Sequence, residues 1–175
     1  MAKLMFAALA VWILIPVAFA QNIPTADVTV GYAPLYILKG YTIWMNGGRG
    51  TVSFNANNWF AVAGDFGAYV GHIPQSFTGA TYLVGPRFSY RKLPWTVPFV
   101  QALVGGSHFS TSTGGITGGG SEFAFAVGGG GDIGLGTTRN FGLRLEGDYV
   151  GIRSSGSITP AVRLSIGIVY RFGNR

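Results

Sequence analysis

The sequence predicts an all-β fold: an eight-stranded antiparallel up-and-down transmembrane β-barrel, preceded by a cleavable signal peptide. Three observations carry that prediction. Only 10% of the 175 residues are charged while 48% are hydrophobic, against about 25% charged in an ordinary soluble domain. Beyond the first twenty residues no apolar run reaches the length of a membrane-crossing helix. Glycine, at 29 residues, punctuates the chain, and between the glycines large apolar residues recur at every second position, the period of a strand.

The N-terminus is read first. Met1-Ala2-Lys3 gives a positive start, Leu4 to Phe19 an apolar stretch, and Ala18-Phe19-Ala20 a small-x-small cleavage pattern. Residues 1–20 are therefore expected to be a signal peptide cut after Ala20, and residues 21–175 one barrel domain. The segment is short for an uncleaved anchor. The exported chain contains no cysteine and folds without disulfides. Net charge is +6, with Lys3 belonging to the leader. Apart from Arg91-Lys92 there is no basic cluster, and export argues against nucleic acid as a partner.

The strands follow in order. The first, about 26–34, sets Val28, Val30 and Tyr32 against Asp27, Thr29 and Gly31. The second, about 49–56, sets Val52 and Phe54 against Thr51, Ser53 and Asn55. An Asn57-Asn58 turn leads to the third, about 59–70, where Phe60, Val62 and Phe66 oppose Asp65. In the fourth, about 79–91, Tyr82, Val84, Phe88 and Tyr90 oppose Arg87, Ser89 and Arg91.

Leu93 to Thr96 joins it to the fifth, about 97–109, where Phe99, Val100, Ala102, Leu103 and Val104 occupy both parities and leave the facing open. The sixth, about 121–132, sets Phe123, Phe125 and Val127 against Glu122, Ala124 and Ala126. The seventh, about 140–152, sets Phe141, Leu143, Leu145 and Tyr149 against Arg144, Glu146 and Asp148. The eighth, about 163–172, sets Leu164, Ile166, Ile168, Tyr170 and Phe172 against Arg163, Ser165, Gly167 and Arg171.

Longer connections are expected near 35–48, 71–78, 110–120 and 153–159, alternating with tighter joins, as in membrane barrels with short periplasmic turns and longer outer loops. The charges agree. All six acids, Asp27, Asp65, Glu122, Asp132, Glu146 and Asp148, fall in strands, opposite the apolar face. A lipid-facing Arg or Lys at mid-depth costs roughly 2–4 kcal/mol and a carboxylate less, so the charges are expected to point into the lumen. There Arg87, Arg144 and Arg163 are expected to pair with Asp27, Asp65, Glu122, Glu146 and Asp148. Eight strands leave an interior that side chains fill, which disfavours an open pore. Tyr170, Phe172, Trp59 and Trp95 are expected in an aromatic girdle at the periplasmic interface, with Trp44 in the first outer loop.

The signal peptide, the eight alternating segments and the closing Gly167-x-x-Tyr170-x-Phe172 resemble the small OmpA-like outer-membrane β-barrel domains of the Gram-negative cell envelope. Asn57 to Phe66 and Val84 to Arg91 resemble a porin-family branch of that group. The resemblance covers essentially the whole mature chain and implies an outer-membrane location. It also implies that Gly167, Tyr170 and Phe172 are read by the barrel-assembly machinery. In this chain Gly173-Asn174-Arg175 follows Phe172.

Candidate sites are few. Gly129-x-Gly131-x-x-Gly134 has dinucleotide-fingerprint spacing, but a strand instead of a helix follows it, so the glycines are read as room for lumen side chains or a barrel bend. His108, Ser110 and Glu122 form the single candidate catalytic set, a base, a nucleophile and an orienting carboxylate. Their spacing is similar to that of the lipid A deacylase barrels. Parity puts Glu122 in the lumen and His108 with Ser110 on the other face. His72 has no ligand partner nearby, and no metal or cofactor is expected.

Lys39, Arg49 and Arg153 lie in the expected outer loops, a rim suited to lipopolysaccharide phosphates. Tyr36, Leu38, Tyr41, Trp44 and Met45 make the first loop apolar, as either a partner patch or a strand pair extending past the membrane. The expected function is structural or surface-interactive, in a monomeric barrel contacting outer-membrane lipid. The alternatives are a lipid A-modifying enzyme and a narrow channel.

Overall fold

The computed structural model describes residues 23–39, 41–71, 76–113, 116–135, 140–154 and 156–173. The signal-peptide segment and His72 lie outside them. Nine strands run in chain order: β1 (Ala26–Tyr32), β2 (Leu35–Lys39), β3 (Tyr41–Asn55), β4 (Phe60–Gly71), β5 (Ser76–Ser89), β6 (Thr96–Thr113), β7 (Ile116–Leu135), β8 (Phe141–Ser154) and β9 (Ser157–Phe172). Every consecutive pairing is antiparallel, and β1 and β2 both pair with β3 and with β9, so the sheet closes on itself.

β1 and β2 are two halves of one stave. The interruption falls at Ala33-Pro34, where proline has no N–H to give the ladder. The register is not lost there: Ala33 N donates to Gly47 O at 2.8 Å, and Pro34 O accepts from Leu164 N at 3.3 Å. The barrel therefore has eight staves, as the sequence predicts.

The connections differ from expectation. Most of the residues read as long loops at 35–48, 71–78, 110–120 and 153–159 are paired strand, and β6 with β7 runs as a ladder out to Thr113↔Ile116. The apolar 35–48 segment is a strand pair in register from Leu35↔Met45 to Lys39↔Tyr41, not a loop. Trp44 lies on β3 accordingly. Glycines and small hydroxyl residues hid the period-two signal in these stretches.

The outward face is apolar from one girdle to the other. At the end where β1 begins and β9 finishes, Trp59 stacks on Phe88 at 5.8 Å and 11°, while Tyr170 contacts Phe141 and Phe172 at 4.7 and 4.5 Å. At the far end Tyr36 stacks on Trp44 at 5.9 Å and 18°. On β3 the exposed Phe54 and Trp44 stand ten residues apart, which on a strand tilted about 40° spans ~25 Å, the height of a membrane barrel's apolar band. Among the described residues no helix is long and apolar enough to cross a membrane; the strands supply the belt. On β6 the open question of facing is settled by Phe99, Gln101 and Leu103, which turn inward while Val100 and Val104 are exposed.

Candidate functional site

The inward face is built from the polar parity of each strand, and its lower half, toward the start of β1 and the end of β9, is one ion-pair network. Arg144 grips Asp132 with Nε to Oδ1 at 2.6 Å and Nη2 to Oδ2 at 2.8 Å, a bidentate fork. It also reaches Asp27 at 3.2 Å, and Arg171 adds a second cation to Asp132 at 3.0 Å. Arg87 donates twice to Gln101 Oε1, at 3.1 and 2.8 Å, and to Ser53 at 2.7 Å. The Phe99 ring lies under both guanidinium groups, 4.6 Å from Arg87 and 4.8 Å from Arg144.

A second layer lies above the first. Arg163, fully buried, donates from Nε and Nη2 to Asp148 Oδ2 at 3.0 and 2.8 Å, and from Nη1 to Asp65 at 2.8 Å and Tyr69 Oη at 3.1 Å. Arg49 pairs with Asp65, and reaches Glu146 at 2.7 Å and Asp148 at 3.2 Å. Gln101 Nε2 donates to both Glu146 and Asp148, tying the layers together. Five acids thus face five arginines, and each of these side chains is buried or nearly so. Charges this deep persist only when paired and hydrogen-bonded.

Above the ion pairs the lumen holds an apolar cluster. Leu35, Met45, Leu83, Leu103, Val150 and Ile152 pack with buried alanines and Tyr69 into one cluster. Tyr69 fits because Gly47 and Gly67 beside it have no side chain: a Cβ there would come within 2.3 and 2.2 Å of its ring and hydroxyl. The dinucleotide-like run does not make room for lumen side chains at Gly129 and Gly131, which take the outward parity of Val127 and Ile133, and a Cβ on Gly131 would meet nothing within 4 Å; the crowded glycines are their inward neighbours Gly128 and Gly130. A Cβ on Gly128 would meet Asp148 Oδ1 at 2.4 Å, and one on Gly130 would meet Leu145 O at 2.1 Å. The run is uninterrupted strand β7.

The expected lumen charges Asp27, Asp65, Arg87, Arg144, Glu146, Asp148 and Arg163 all fall in this network. Glu122 takes the inward parity but stands apart, half-buried opposite Ser107, with no ion pair among the described residues. Arg49 was expected on the outer rim and is instead a buried member of the lumen. The signal for it was present: Arg49, Thr51, Ser53 and Asn55 form one polar parity. Gln101 and Tyr69 were missed because a polar or aromatic residue on an otherwise mixed strand carries no period of its own.

The His108, Ser110 and Glu122 set separates. His108 Nε2 lies 3.3 Å from Ser110 Oγ, and Nδ1 lies 3.0 Å from Ser121 Oγ, all on the outward face at the far end. Glu122 sits on the opposite face of the wall. The group beside the imidazole is a hydroxyl, not a carboxylate. Among the described residues no group of three or more His, Cys, Asp or Glu is placed to hold a metal ion.

Gly167, Tyr170 and Phe172 line the closing strand: Gly167 is opposite Gly31, while Tyr170 and Phe172 build the girdle beside β1.

No protein-family model matches the sequence, and no curated protein matches it. Solved structures do. Neisserial surface protein A superposes with a TM-score of 0.73 at 15% identity, covering 85% of this chain and 97% of that one. Ail, the attachment invasion locus protein of Yersinia pestis, gives 0.62 at 18% identity, covering 86% and 100%. The N-terminal β-barrel domain of Pseudomonas aeruginosa OprF gives 0.55 at 14%, covering 86% and 100%. By fold the chain is a small, closed, eight-stranded antiparallel β-barrel, similar to the barrels of these outer-membrane proteins.

Proposed function

We propose that the chain is an outer-membrane protein whose barrel is a closed structural element, presenting its far rim for surface interaction, without catalysis. The observation that carries this reading is the filled lumen. Five carboxylates and five arginines cross-link the lower half, and the apolar cluster packs above them. A channel would need an aqueous path, and a water-filled path through such a network would require breaking several buried pairs. The apolar belt between the girdles supports insertion, with the start of β1 and the end of β9 on the periplasmic side and the far end outside.

In this reading the partners are membrane lipid, lipopolysaccharide phosphates at the rim, and the barrel-assembly machinery reading Gly167, Tyr170 and Phe172. The barrel acts as a monomer. Ail, of the same fold, has been solved with the heparin analogue sucrose octasulfate, which makes recognition of an anionic sugar at such a surface a reasonable precedent.

The test is twofold. Outer-membrane extract run unboiled and boiled should show a mobility shift, and the purified protein in a planar bilayer should give no ohmic steps. A soluble periplasmic protein without a shift would overturn insertion. Steady unitary conductance would overturn the closed barrel and favour the narrow channel.

A further inference from the structure

The outward surface of the far rim carries a polar cluster that the closed lumen does not explain. Ser110, His108 and Ser121 are joined in a hydrogen-bonded row across β6 and β7, at 3.3 and 3.0 Å. His108 stands ten residues along β6 from Pro98, which lies beside Trp59 and Tyr90 at the lower girdle. That is the same ten-residue span that separates Phe54 from Trp44, so the row sits at the outer membrane–water interface.

Its surroundings are those of a docking face. Gly119 lies opposite Ser110, and a Cβ there would come within 2.7 Å of Ser110 Oγ, so glycine keeps that hydroxyl uncovered. The Tyr82 ring lies over Gly106, directly across from Phe123, giving an exposed aromatic residue on either side below the row. Arg153, exposed on β8, is paired in register with Phe123, one strand beyond Ser121. Two strand spacings of about 4.8 Å separate the histidine and arginine columns.

The charge balance names the occupant. Five of the six acids are consumed inside the lumen and the sixth, Glu122, takes the inward parity, so no described carboxylate faces outward. The outward charge at this height is cationic only.

We infer that His108, Ser110, Ser121 and Arg153 form a docking site for a phosphorylated sugar headgroup, that of lipid A in the surrounding outer leaflet. The inference rests on the membrane reading above. His108 bridges the two serines through its two ring nitrogens, the serine hydroxyls offer donors to phosphate oxygens, and Arg153 engages the headgroup two strands away. The rings of Tyr82 and Phe123 sit against the acyl chains below, where aromatic side chains favour the interface.

The test uses the full mature chain in phosphatidylcholine nanodiscs doped with lipid A, with bound lipid counted by native mass spectrometry. Retention of lipid A is expected, with roughly a five-fold loss in Arg153→Gln and at least about ten-fold in the variant combining His108→Asn, Ser110→Ala and Ser121→Ala. Lipid A stripped of its phosphates should be lost to the same degree. Equal retention by folded, heat-modifiable variants would overturn the site, as would equal retention of phosphatidylglycerol, which would mean unspecific attraction of anionic lipid. Failure of the wild type to enter the disc at all would overturn the membrane reading itself, a distinguishable result.

Discussion

Gly31 and Gly167 face each other across the seam where the first stave meets the last. A Cβ on Gly31 would lie 2.3 Å from Ile166 O and 2.6 Å from Gly167 Cα, and one on Gly167 would lie 2.7 Å from Val30 O. The clash is with backbone, which has nowhere to yield without opening the ladder. Closure therefore depends on bare backbone at this pair. Gly31→Val or Gly167→Val should fail to close, seen as loss of the fast-migrating unboiled band. Gly50→Ala is the control, since a Cβ there meets nothing nearer than Thr29 O at 4.0 Å; a fully folded Gly31→Val would refute this account of the seam.

Arg163 stands between two carboxylates that have no escape to water. Replacing it with methionine keeps much of the volume but leaves Asp65 and Asp148 short of a cation, although Arg49 still reaches both. Removing one partner of a buried pair costs about 3–5 kcal/mol, and this is the loss expected for Arg163→Met from denaturant unfolding in detergent micelles or bilayers. A loss under about 1 kcal/mol would mean the network is wet enough to behave like surface pairs.

The eight staves and the inward acids were legible because strand parity is a strict two-residue rule, and a lipid-facing charge breaks it at high cost. Arg163 and Arg144 each sit between apolar neighbours that announce the opposite face, and Asp65 precedes Phe66, which does the same. Arg49 was misplaced because Gly47, Gly48 and Gly50 around it hide where the strand begins, although it continues the polar parity of Thr51, Ser53 and Asn55. The far-end strands were read as loops for the same reason: on β7, Gly118, Gly119 and Gly120 give no alternation. Pairings such as Arg163 to Asp65, 98 residues apart, depend on barrel closure and stagger, which no local pattern encodes. The break at Pro34 was visible as a proline but not as a mid-stave interruption that keeps register.

Val30 is 68% exposed near the middle of the outward belt, opposite Ile168. In a water-facing barrel, Val30→Arg would change stability by no more than about 0.5 kcal/mol, the usual surface range. Facing hydrocarbon, it should cost roughly 2–4 kcal/mol at mid-depth. Folding free energies in lipid vesicles separate the two, and a neutral Val30→Arg would place the belt in water.

Ser110 and His108 have the contact of a nucleophile and its base, at 3.3 Å, but the group on the far side of the imidazole is the neutral hydroxyl of Ser121. Catalysis by such a pair draws on a buried carboxylate that stabilises the imidazolium as it forms. Glu122 has the inward parity, across the wall from the ring, and reaching it would require reversing the facing of β7, whose Ala124 and Ala126 are fully buried on that same side. The expected outcome is that lipid A from cells carrying Ser110→Ala has the same acyl-chain count by mass spectrometry as lipid A from cells with the wild-type protein. A lipid A species one acyl chain short, made with the wild-type protein and lost in Ser110→Ala, would establish the enzyme reading and show that the rim cluster turns its ligand over instead of only holding it.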